Sequence, residues 1–148
     1  MLSPKSLLIL LMLLAATALN AAEYLPWSQQ NFAIDSPLGG FIGNPERGRL
    51  LVSQKSKGNC LACHRLPIKD TEFHGTIGPE LTGVGNRLTM AQLRLRVSDE
   101  KQVNPFSIMP GYHSDPKRLN RVRDDYQGQT ILSAQEIEDI VSYLVSLK

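Results

Sequence analysis

The stretch Gly58-Asn59-Cys60-Leu61-Ala62-Cys63-His64 holds both cysteines of the 148-residue chain and governs how the residues around it are read. Cys-x-x-Cys-His is the spacing at which a c-type haem is attached. The two thiols reach the two vinyl groups on one porphyrin edge. The histidine that follows then lies beneath the iron, where a ring nitrogen can coordinate it. Three other readings compete. A disulfide across 60–63 would close so short a segment that it stabilises little. A thioredoxin-like redox pair needs a strand before it, whereas the residues before Cys60 read as a helix. A zinc site wants a second ligand pair at regular spacing, and only His74 and His113 are left to supply one. The motif therefore favours one covalently attached haem c, with Cys60 and Cys63 as its anchors and His64 on the iron.

An electron-carrying haem needs a sixth ligand, and the candidates are Met90, Met109, His74 and His113. Met109 is favoured. It sits in Asn104-Pro105-Phe106-Ser107-Ile108-Met109-Pro110-Gly111-Tyr112, where prolines stiffen the backbone enough to present a thioether rigidly. Met90 falls in the first turn of an amphipathic helix, a usual place for core filler. His74 and His113 lie in polar loops and read as surface residues. Downstream of the motif comes Ile77-Gly78-Pro79-Glu80-Leu81-Thr82-Gly83-Val84-Gly85. Pro79 has no N–H but keeps its carbonyl, which could accept the other imidazole N–H of His64 and fix its tautomer. An ordinary Gly-Pro turn is the alternative.

Helices flank this loop-rich centre. Asn44 is a good N-cap, Pro45 suits the first helical position and Glu46 suits the positive end of the dipole, so a helix is expected from there to about Lys57, stopped by Gly58. Thr89 should cap a second, with Met90, Leu93, Leu95 and Val97 along it. Ser133 and Glu136 form a capping box for a third, carrying Ile137, Ile140, Val141, Leu144 and Val145 at helical spacing. Residues 59–86 and the proline-rich stretch after 104 read as long loops. Loops of that length in a compact domain are usually functional.

Lys5, the apolar run from Leu7 to Leu14 and the small residues Ala15-Ala16-Thr17-Ala18 and Ala21-Ala22 are the parts of a cleavable export signal over residues 1–22. Cleavage after Ala18, Ala21 or Ala22 is equally open. Residues 23–43, with Trp27, Phe32 and Phe41, read as an irregular arm that packs on the domain or on a partner; residues 44–148 form the domain itself. Sixteen Lys and Arg balance fourteen Asp and Glu, which excludes a broadly basic nucleic-acid binder. Lys117, Arg118, Arg121 and Arg123 could steer an acidic partner, but Asp124 and Asp125 beside them favour a solvated mixed-charge surface. No apolar run after residue 22 approaches the roughly 20 residues of a membrane span. The mature chain is thus expected to be a small exported domain, most simply periplasmic.

Residues 44–51, Cys60 to His64, Gly78-Pro79-Glu80-Leu81-Thr82-Gly83, Met109 and the helix after Ser133 together resemble a class I cytochrome c. That resemblance implies an all-α fold in which N- and C-terminal helices cross at right angles over a covalently bound haem, with long irregular loops. Gly48 and Tyr143 match the small and aromatic residues of the crossing, and Leu81 and Thr82 would wall the haem from water.

Gly58 to Pro67, Gly83-Val84-Gly85-Asn86-Arg87-Leu88, Met109-Pro110-Gly111-Tyr112-His113 and residues 130–139 also resemble the SoxX family, the smaller cytochrome of the SoxAX complex of sulfur oxidation. This implies a periplasmic heterodimer with a SoxA-type cytochrome. At the catalytic haem of that partner, thiosulfate would be oxidatively coupled to a cysteine of a separate SoxYZ carrier, an L-cysteine S-thiosulfotransferase reaction. The present chain would relay the electrons to a soluble acceptor cytochrome without bond chemistry of its own. It further implies that Cys60 and Cys63 attach the haem and that His64 and Met109 are its axial ligands. A free-standing class I cytochrome c serving a terminal oxidase is the alternative. A peroxidase would need Met109 to dissociate and a base such as His113 nearby.

Overall fold

The computed structural model describes residues 22–69, 71 and 73–148; all but the last residue of the expected export signal lies outside them. Among the described residues four α-helices follow in order: α1 (Pro45–Ser53), α2 (Val84–Arg87), α3 (Met90–Asp99) and α4 (Ala134–Ser146). Short 3-10 turns occupy Leu38–Gly40, Cys60–Ala62, Glu100–Gln102, Pro116–Arg118 and Asp124–Tyr126. Among the described residues the only β pairing is an isolated bridge between Gln30 and Ala33.

The helix starts are where their capping residues place them. The Asn44 side chain accepts the Arg47 N–H at the start of α1, with Pro45 in the first turn. Ser133 and Glu136 bond reciprocally at α4. Thr89 and Gln92 make a second capping box at α3, one that the sequence reading did not pick out. The end of α1 comes early, at Ser53 rather than Lys57. Gln54 is already extended, and its carbonyl collects the N–H groups of both Lys57 and Asn59. That turn, followed by Asn59 in the left-handed region at φ 45°, swings the chain round so that Cys60 enters beneath α4.

α4 is the centre of the molecule. Ile137, Ile140, Val141 and Leu144 are all buried, joined by Val52 of α1, Leu93 and Leu95 of α3, and Leu132. α1 crosses α4 at Gly48, where a Cβ would collide with the Asp139 carbonyl and the Tyr143 side chain. Glycine is required by that close approach of two backbones.

The polar face of α4 is buried as well. Glu138 and Arg94 of α3 form a bidentate ion pair, 2.7 and 3.0 Å, with side chains only 3% and 2% exposed. Asp139 accepts the Asn44 N–H, an Arg47 guanidinium N–H and the Gln135 amide.

Residues 22–43 wrap around this core. Arg94 donates to the Ile34 carbonyl at 2.6 Å, the Leu38 N–H donates to Glu138, and Ile34 and Leu38 are themselves buried. At its tip the arm turns through Asn31 and Phe32, both at positive φ. Trp27 packs against the core and donates its indole N–H to the His113 carbonyl. Phe32 and Phe41 stay exposed, so the arm's aromatics divide between the domain and the surface.

Candidate haem site

A cavity of about 500 Å³ opens between the Cys60–Ala62 turn and helices α3 and α4, within the size range of a cofactor pocket. It is lined by Cys60, Cys63, His64, Met109 and Tyr112, with Leu93 and Val97 of α3 and Ile140 and Leu144 of α4 completing a largely apolar lining.

The motif is held by the loop that follows it. Gly75 donates to the Leu61 carbonyl and Gly78 to that of Cys63. The His64 ring lies against the backbone of Gly78, where a Cβ would overlap it. Its Nδ1 is 2.7 Å from the Pro79 carbonyl. A carbonyl can only accept, so Nδ1 carries the proton and Nε2 keeps the lone pair. Arg87 fastens the same loop, donating to the Thr82 and Glu80 carbonyls at 2.8 and 2.9 Å. The sequence reading missed this clamp, which no motif position announces. Leu81 lines the cavity; Thr82 is exposed and takes no part in the wall.

Both cysteines are free. Burial pushes the Cys60 thiol up to about 12, the opposite of the lowered thiol that a redox pair needs. Burial raises the Tyr112 phenol too, and its hydroxyl donates to the Gly58 carbonyl at 2.7 Å, joining the Met109 loop to the residues before Cys60.

Of the four candidates for a sixth ligand, Met109 is the one in the cavity wall. Met90 projects outward, 41% exposed, because its position in the first turn of α3 overhangs the core instead of filling it. His74 accepts the Leu66 N–H. His113, expected at the surface, is fully buried. Its Nδ1 donates to the Leu132 carbonyl and its Nε2 accepts the Leu25 N–H, so both ring nitrogens are engaged away from the cavity. Its polar sequence neighbours hid the arm that covers it.

The family model for cytochrome c matches residues 45–148. The chain belongs to the cytochrome c family. Membership brings a covalently bound haem c, and the residues present fit one: two free thiols at Cys-x-x-Cys-His spacing and a histidine with a fixed tautomer, on the wall of an apolar cavity. The fold of this cytochrome is similar to that of a chain in the crystal structure of SoxXA from P. pantotrophus. The TM-score is 0.77 and the identity 36%, over 87% of this chain and 99% of that one. No curated protein sequence matches the chain. The likeness agrees with the resemblance to SoxX drawn from residues 58–67, 83–88, 109–113 and 130–139. Among the described residues no helix is long and apolar enough to cross a membrane.

Proposed function

We propose that this cytochrome is the electron-transfer subunit of a SoxAX-type complex, working in the periplasm beside a SoxA-type cytochrome and delivering electrons to a soluble acceptor cytochrome. In this reading Cys60 and Cys63 anchor the haem, His64 and Met109 are its axial ligands, and Pro79 orients His64. The observation that carries the assignment of ligands is the placing of Met109 in the wall of the cavity that His64 lines. One-electron exchange at iron is the chemistry such a group supplies when bound. With His64 and Met109 both holding such a group, no position would be left open for substrate, and the apolar lining would limit water. The Pro79 carbonyl would make the His64 ring a stronger donor, and the Met109 thioether would favour ferrous iron.

A partner could cover Ile77 and Ile108, both in the cavity wall and 69% and 79% exposed. The likeness to a SoxXA chain gives the kind of partner.

Two measurements test the reading. Met109→His should retain the covalent haem but lower its reduction potential; an unchanged potential would mean the sixth ligand lies elsewhere. Gel filtration of periplasmic extract, followed by haem absorbance and mass spectrometry, should find the chain with a second c-type cytochrome. Elution alone with one haem would favour the free-standing shuttle.

A further inference from the structure

We infer that Lys101 is a positioning residue for the distal ligand, locking the loop that presents Met109. The inference rests on Met109 being that ligand. Between α3 and Met109 the chain is folded by short-range bonds, each reaching only a few residues along. Asp99 accepts the Lys101 N–H and the Gln102 amide. Asn104 takes the Phe106 N–H on its side chain and the Ser107 N–H on its carbonyl. The Met109 N–H donates to the Ser107 hydroxyl at 3.2 Å.

Two longer bonds close the loop on itself. At its base the His113 N–H donates to the Ser98 carbonyl at 3.0 Å. Nearer the tip the Lys101 ammonium donates to the Met109 carbonyl, also at 3.0 Å. Met109 is thereby gripped on both sides of its Cα, by Ser107 at the amide and by Lys101 at the carbonyl. The two bonds together fix the backbone from which the thioether springs. A lysine suits this task because its ammonium makes a charge-assisted bond from a long stem rooted in the preceding turn. Lys101 is exposed, so water competes for the same carbonyl and the effect is moderate.

The loop must swing aside for an external ligand to take the thioether's place, so the lock is read by imidazole binding to the ferric holoprotein. Lys101→Met keeps the stem and removes the donor; it should bind imidazole about fivefold more tightly. Lys101→Arg, still able to donate to a carbonyl, should stay close to the unaltered protein. Without imidazole, Lys101→Met should keep the near-infrared charge-transfer band of a thioether on ferric iron, showing that the ligand is loosened and not lost. An imidazole affinity of Lys101→Met equal to that of the unaltered protein overturns the lock. A Met109→Ala protein that keeps the near-infrared band overturns the ligand assignment, a separate failure.

Discussion

At the scale of single residues, the chemistry depends on places where a side chain is excluded as much as on those where one is supplied. Gly78 lets the His64 ring lie on bare backbone, and that contact delivers Nδ1 to the Pro79 carbonyl. Gly78→Ala should push the imidazole off this bed. The expected result is a lower yield of covalent haem and, in what does form, a stability loss of about 1–3 kcal/mol, the usual cost of overpacking, measured by thermal unfolding followed in the haem absorbance. The Cys60, Cys63 and His64 spacing and the His64–Pro79 contact could be read from the sequence, the first as a motif and the second from the proline that follows it. Arg87 and Lys101 could not, since each acts on backbone carbonyls several residues away and carbonyls leave no mark on sequence.

At the scale of elements, the helix starts were legible through Asn44, Thr89 and Ser133, whose side chains each act on the N–H group three residues on. The end of α1 was less so. It is decided by Gln54 accepting from Lys57 and Asn59, a turn that competes with another helical turn of nearly equal local merit. Helical periodicity marks the apolar stripe of α4 but is silent on Glu138 and Asp139. Glu138 is buried where the arm crosses it at Leu38, and Asp139 where the start of α1 packs on it.

The Arg94–Glu138 pair joins α3 to α4 under that cover. Removing one partner strands a buried charge, so Arg94→Met or Glu138→Leu alone should cost about 3–5 kcal/mol. The double substitution should cost less than either. Urea unfolding of the four proteins gives the coupling, and strictly additive losses would show that the pair acts only through its packing.

At the scale of the whole molecule, His113 is the joint between arm and body. It receives Leu25 on Nε2 and Trp27 on its carbonyl, stacks near Tyr24 with ring centroids 5.4 Å apart, and donates to Leu132. Burial lowers its pKa below 6.5, and a proton on Nε2 would face the Leu25 N–H. Below about pH 6.5 the unfolded chain therefore takes up a proton that the folded one refuses, and stability falls as pH falls. Above that pH the contribution is complete. Unfolding free energies should drop as pH falls below about 6.5, and His113→Asn, which cannot titrate, should flatten that part of the profile. A profile unchanged by the substitution would place the acid sensitivity in other groups.

The walls of the cavity come from distant parts of the chain, with Ile140 and Leu144 belonging to its most C-terminal helix. A chain exported from its N-terminus, as the proposed periplasmic role requires, would expose Cys60 and Cys63 well before those two residues arrive to enclose them. Until then the thiols sit on an open, extended segment that an attachment enzyme can grip. The arrival of α4 would complete the pocket and end that access, so a cofactor joined to these thiols would have to be loaded ahead of closure.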